Sequence, residues 1–349
     1  MDERKSIFSN KLLWPGLLVV ILAIIPFVAN NYYLSTMVII ALDTIVVVGL
    51  GLLMGYAGQI SLGHAAFFGV GAYASAILTV HFQVPPVIGI IFAALVTGLV
   101  AYVIGRPTLK LKEHYLALAT LGFGIIIQII FVEGGELTGG PSGLSGVPVL
   151  GEGIFPINND FRFYYVVWIL AGLTMVFSHN IVNSRVGRAL RAIHGSEIAA
   201  ETLGVDTAKY KLQIFVVSAI IASLAGSLYA HYVTFISPSP FGFKTSIELV
   251  LMAVIGGLTS IWGPLVGATL VIVLTEVLKV VIPLIVPNAG GEFEIVVFGI
   301  FLVVVMIFLP NGLTSIFDVV RNKFAAGREM AGDKMDELPN KLTTNLKVK

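Results

Sequence analysis

Apolar stretches of roughly 20 residues, the length at which an α-helix crosses the hydrocarbon core of a bilayer, recur near 13–29, 34–54, 57–79, 86–104, 115–132, 163–180, 212–235, 247–262, 264–286 and 294–310. A backbone in lipid must satisfy its own N–H and C=O groups, so runs of this kind leave little choice but a helix bundle. The expectation is an all-α integral membrane protein with about ten transmembrane helices. Composition agrees: 57% of the 349 residues are hydrophobic and 12% charged, where a soluble domain carries about a quarter charged residues. The junctions 54–57 and 262–264 are the weakest of the set, each open to being a kink or a re-entrant turn rather than a loop. Gly263-Pro264 favours a break, because proline removes a helix hydrogen bond and restricts the residue before it.

Charge placement sets the expected orientation. The segments 1–12, 105–114, 181–211 and 310–349 hold 18 of the 21 Lys and Arg, which places them on the cytoplasmic side together with both termini. The opposite loops 133–162 and 287–293 hold Glu133, Glu136, Glu152, Asp160 and Glu292 against Arg162 alone. The expected divisions are a cytoplasmic N-terminus at 1–12, a transmembrane domain at 13–310 and a cytoplasmic tail at 311–349. Within the domain, 184–208 forms a cytoplasmic loop and 133–162 an external one. Arg4, Lys5 and Lys11 resemble a signal-peptide n-region, but Val28-Ala29-Asn30 is a poor cleavage site, so the first span is read as retained. A net charge of +1 gives no reason to expect nucleic acid. With no cysteine there is neither a disulfide nor a thiolate site.

The run from Gly55 to Gly69 sets a glycine-broken polar stretch inside apolar sequence. Irregular backbone at membrane depth survives only inside protein or beside a water-filled path, so a transport pathway would leave its mark here. The candidates for a pathway or broken helix are Gly58, Gln59, Ser61, Gly63 and His64, with Gly256, Gly257 and Ser260 further on; tight helix packing is the competing reading of the glycines. Gly58-x-x-Ser61 and Gly257-x-x-Ser260 leave an inverted repeat open. Of the intramembrane acids, Glu276 has Lys279 within reach on one helix face, Glu248 lies near a helix start, and Asp43 has no evident partner. The histidines form no metal-binding pattern, and no catalytic set of nucleophile and base is evident.

The loop after the sixth span reads as two short helices. From Arg185 to Ile193 the helical period places Val186, Leu190 and Ile193 on one side and Arg185, Arg188 and Arg191 on the other. Ser196 suits an N-cap, Glu197 the first turn, Gly204 a left-handed C-terminal position, and Asp206 a cap for the next span. Such helices fit docking on a cytoplasmic partner or lying on anionic lipid.

The stretches Gly187–Ile193 and Glu197–Gly204 resemble the coupling region of ABC-importer permeases, in the LivM-type branched-chain amino-acid permease family. In the general permease pattern, Glu-Ala-Ala is followed by three residues, Gly, nine residues and Ile-x-Leu-Pro. Ala199, Ala200, Gly204 and Ile214 fall in register, while Ile198 stands at the acidic position and Val216-Val217 replace Leu-Pro. Gly58–Ala65, His114–Ala117 with Thr120–Gly124, Thr138–Leu144, Gly256–Pro264 and Leu309–Leu313 resemble the same family in one colinear order over 34–317. Many relatives carry an acidic and then a basic residue after the position of Gly124, where this chain has Ile125 and Gln128.

The resemblance implies a permease in the cytoplasmic (inner) membrane of a prokaryote, moving leucine, isoleucine or valine inward by ATP-driven alternating access. Its partners would be a LivH-type permease subunit, two cytoplasmic ABC ATPases, an extracytoplasmic solute-binding protein and membrane lipid. ATPase coupling would fall to Arg188, Arg191, Glu197, Ala199, Ala200 and Gly204. The chain has no Gly-x-x-x-x-Gly-Lys-Ser/Thr phosphate loop, so ATP and magnesium belong to the partners, with no cofactor expected on a non-enzymatic transport subunit. Two rival readings are a urea, small-amide or other amino-acid permease of the same architecture, and an ion-coupled secondary transporter.

Overall fold

The computed structural model describes residues 20–109, 111, 113–151, 157, 159–285, 299–300, 303, 307 and 312–313. The expected N-terminus at 1–12, nearly all of the tail at 311–349, Glu152, Glu292 and most of the span at 294–310 lie outside the described residues. A helical segment, α1 (20–28), is followed by α2 (Asn31–Gly51), α3 (His64–Phe82), α4 (Pro86–Thr108) and α5 (Glu113–Glu133). Then come α6 (Asp160–Asn183), the short α7 (Arg185–Gly195) and α8 (Glu197–Thr202), α9 (Thr207–Val233), α10 (Phe243–Gly256) and α11 (Gly263–Ile285). Among the described residues, seven helices are long and apolar enough to cross a membrane.

Apolar side chains fill the core of the bundle and also cover its outer helices. α4 turns Val87, Ile91, Leu95, Leu99 and Val103 outward and keeps Gly89, Ala93, Thr97 and Ala101 inside. On α5 and α6, Leu118, Ile126, Ile130, Ile169, Leu173 and Val176 are likewise exposed. On α4, large apolar groups facing out and small ones facing in suit lipid, where close backbone packing holds helices together.

The centre is the crossing of α3 and α9. A Cβ on Gly226 would stand 1.8 Å from the Phe68 carbonyl oxygen, and one on Gly71 would stand 2.3 Å from that of Ser223. The two backbones therefore touch. Ser227 Oγ donates to the Gly71 carbonyl at 3.0 Å, Ser75 Oγ bonds His231 Nε2 at 2.8 Å, and Thr97 Oγ1 brings in α4 by donating to Ser223 Oγ at 2.9 Å. α2 packs on α9 and α6, and α11 packs on α10 and α2.

On the side away from α7, the loop after α5 pairs β1 (Leu144–Ser145) antiparallel with β2 (Phe235–Ile236), Leu144 opposite Ile236. α1 is fastened nearby, with Tyr164 Oη and Tyr165 Oη donating to the carbonyls of Leu22 and Ala23, both at 2.9 Å.

Two expected spans are corrected. Helix was expected over 57–79, but α3 begins only at His64, because 58–63 forms irregular backbone in which Gly58 has φ +67°. A span was expected over 247–262, but α10 is a 14-residue helix starting at Phe243, and 257–262 is a turn. At 1.5 Å per residue α10 is roughly 21 Å long, short of the ~30 Å a full crossing needs.

Candidate functional site

The two irregular segments, far apart in sequence, meet. α2 does not stop at Gly51 but widens into a π-helical turn over Leu52–Tyr56, a local distortion common at functional sites. The chain then doubles back through 58–63 into α3. Tyr56 Oη donates to the Thr259 carbonyl at 2.6 Å. A Cβ on Gly55 would stand 2.1 Å from the Leu258 carbonyl oxygen, so only glycine lets the second break lie against the first. Gly257, at φ +105°, turns the chain out of α10, and Gly312 follows close on it, its ideal Cβ 2.5 Å from Gly257 Cα. Ser260, Tyr56 and Leu258 border a cavity of about 20 Å³.

Inside the first break the polar side chains are buried. Ser61 Oγ bonds His64 Nδ1 at 2.9 Å, and the Leu62 N–H donates to Thr120 Oγ1 of α5 at 3.0 Å. Gly63 lies against the Thr120 carbonyl, which a Cβ would approach to 2.3 Å. Both amide atoms of Gln59 and Nε2 of His64 are buried with no hydrogen-bond partner among the described residues. A buried polar group left unpaired costs about 1–3 kcal/mol.

α7 reaches this junction from outside the bundle. Ser184 caps it by accepting from the Val186 N–H at 3.1 Å and the Gly187 N–H at 3.5 Å. Leu190 and Ile193 are buried beneath it while Arg185, Arg188 and Arg191 are exposed, as the period predicts. Arg191 Nη1 and Arg188 Nη1 donate to the carbonyls of Val182 and Asn183 at 3.0 and 3.5 Å. At its end His194 Nδ1 donates to the Gly55 carbonyl at 2.9 Å. The same ring lies 3.2 Å from where a Cβ on Gly58 would stand.

α8 projects farther out. Ser196 Oγ accepts from the Ala199 N–H at 3.3 Å, Gly204 is left-handed at φ +83°, and Asp206 Oδ1 accepts from the Lys209 N–H at 3.0 Å. Glu197 pairs with Lys211 and Glu201 accepts from Thr207 Oγ1 at 2.7 Å, tying α8 to the start of α9. Ala200 is buried, whereas Ile198, Ala199 and Leu203 are exposed.

The structure thus gathers Gly58, Gln59, Ser61, Gly63 and His64 into one break and Gly256, Gly257 and Ser260 into the other, and brings the two together. Arg188, Arg191, Glu197, Ala199, Ala200 and Gly204 sit on the outer helices beside them. Asp43, near the middle of α2, stands apart from both groups, half-buried. Glu276 forms its expected pair with Lys279 at 2.7 Å and also accepts from Tyr32 Oη. The contacts of His194, Tyr56, Thr259 and Thr120 escape a sequence reading, although Tyr56, Thr120 and Thr259 lie within stretches it singles out, since only the folded chain brings them to the breaks. Among the described residues no group of three His, Asp or Glu could hold a metal.

No solved structure matches this chain. The LivM permease of the high-affinity branched-chain amino acid transport system of Salmonella typhimurium is 28% identical over 88% of this chain and 76% of its own length. A probable LivM branched-chain amino acid permease of Methanocaldococcus jannaschii is 25% identical over 71% and 77%. The LivH permease of the Escherichia coli system is 25% identical over 77% and 90%. The family described as branched-chain amino acid transport system / permease component matches residues 32–309. Residues 32–309 hold both breaks and the helices that touch them, and by that match the chain belongs to the branched-chain amino acid permease family.

Proposed function

We propose that this chain is one permease subunit of an ABC importer that carries leucine, isoleucine or valine into the cytoplasm by ATP-driven alternating access. The observation that carries the mechanism is the His194–Gly55 contact. Through it a helix lying outside the bundle bears directly on the junction of two broken helices. ATP-driven closure of partner ATPases pushes on α7 and α8, and the push reaches both breaks at once. Only contacts that differ between outward and inward states can drive the switch; Tyr56–Thr259 is placed to break, and the unpaired Gln59 amide and His64 Nε2 are placed to gain partners.

The subunit pairs with a LivH-type permease and works with two cytoplasmic ABC ATPases, which hold ATP and magnesium, and with an extracytoplasmic solute-binding protein. The chain itself holds no cofactor. It crosses the inner membrane about ten times, the eighth passage being made only in part by the short helix α10, with 1–12, the coupling loop 184–208 and the tail 311–349 in the cytoplasm and 133–162 outside. Arg188, Arg191, Glu197, Ala199, Ala200 and Gly204 form the coupling surface. An inverted repeat is left out of this proposal. α2 and α10 both run toward α7 and α3 and α11 both return, so the two breaks share one sense.

The test is ATP-dependent uptake of labelled leucine and of urea into proteoliposomes, with each partner present or omitted. Leucine uptake that requires the ATPases is expected. Urea uptake in its place would keep the architecture and change the cargo, while uptake by this chain alone on an ion gradient would overturn the importer.

A further inference from the structure

Eighteen of the 21 Lys and Arg flank the spans and Arg162 opens α6, which leaves Lys244 and Lys279. Lys279 is held by Glu276. Lys244 is different. It stands in the first turn of α10, its side chain 70% exposed, with Nζ a loose 3.7 Å from Glu248 Oε1, whose side chain is 33% exposed.

This turn lies deep in the bundle. Ser246 Oγ accepts from the Ala65 N–H at 3.3 Å, and Ala65 is roughly 26 Å along α3 from the far end at Phe82. Just before the turn, Phe241 is inserted among Phe68, Tyr73 and Phe131. In the other direction α10 still has ten residues to run before Leu258 meets Gly55. An ion pair at this depth on a face that no described helix covers is not stable against lipid tails and belongs in a water-filled path. The start of α10 also has no side-chain cap, so its free N–H groups add partial positive charge beside Lys244. Asp43 lies near enough to Glu248 for their charges to interact.

We infer that Lys244 and Glu248 bind the two charged ends of a zwitterionic α-amino acid in the path, Lys244 taking the carboxylate and Glu248 the ammonium. This rests on the importer reading above. The pair closes on itself when the path is empty and exchanges partners when substrate enters, so no net charge is added to a low-dielectric passage. The apolar side chain then lies over neighbours such as the exposed Phe243.

The native chain lacks cysteine, so Lys244→Cys in the complete importer gives a single reactive thiol in this subunit, followed by mass spectrometry of this chain. The variant should lose leucine uptake by about ten-fold or more, the order expected when a hydrogen bond to a charged group is lost. The thiol should react with a membrane-impermeant charged methanethiosulfonate and be protected by leucine. The 2-aminoethyl reagent, which rebuilds an ammonium, should restore uptake, whereas the 2-sulfonatoethyl reagent should not. Near-native uptake by the variant, a thiol that does not react, or equal rescue by an uncharged methyl reagent would each overturn the assignment. Should Lys244→Cys not assemble, Glu248→Cys gives the same test with the signs reversed. Wild-type uptake in the same preparation separates the two levels: without it the importer reading fails, while native uptake beside an insensitive variant sinks this pair alone.

Discussion

At the residue scale, Gln59 is the sharpest case of a side chain whose position makes no sense for stability alone. Its amide is buried with neither end paired among the described residues, a cost to folding of about 1–3 kcal/mol that an apolar side chain of similar volume would not carry. Gln59→Leu is therefore expected to fold at least as stably as the native chain, by up to about 1–3 kcal/mol, while leucine uptake by the assembled complex falls at least several-fold. Thermal unfolding and uptake measured on one preparation check this, and unchanged uptake would return Gln59 to a packing role. The sequence shows that Gly58 to His64 breaks a helix, because glycine and polar residues interrupt an apolar run. It does not show that Gly55 admits the Leu258 carbonyl, because a contact across some 200 residues leaves no local pattern.

At the element scale, α7 and α8 were the most legible part of the chain. Their ends are set by local chemistry, with Ser196 capping α8 and Gly204 turning left-handed after it as the sequence predicts, and Ser184, which the sequence reading missed, capping α7. Leu190 and Ile193 fix α7 to the bundle, whereas α8 leaves Ile198 and Leu203 exposed at 77% and 82%. Apolar groups so exposed on a short, well-capped helix suit a partner's groove. Ile198→Asp with Leu203→Asp should leave the permease folded and lower co-purification of the ATPase subunits by about ten-fold or more, the scale of losing two buried apolar contacts. Full retention of the ATPases would place the docking surface elsewhere. The starts of α3 and α10 are hidden from a sequence for the opposite reason. Hydropathy averages over a window, so the polar residues of 58–63 are outweighed by the apolar sequence on both sides, and the half-helix of α10 is apolar enough to pass as part of a full span.

At the scale of the whole molecule, both breaks and α7 lie on one side and the β1–β2 pairing lies on the other. With the basic loops facing the cytoplasm, an impermeant thiol reagent added to intact cells should label Leu137→Cys, in the loop after α5, and spare Ile198→Cys. Inverted vesicles should give the reverse pattern. Labelling of both from one side would contradict the topology.

In the proposed importer, the end of α7 transmits the state of the ATPases to the paired breaks through His194. The most direct measurement is leucine transported per ATP hydrolysed, by the complete complex in proteoliposomes, for the native chain and for His194→Ala. The account predicts that ATP hydrolysis continues while leucine moved per ATP falls by about ten-fold, the loss of one well-formed hydrogen bond and its packing. An unchanged ratio would contradict it.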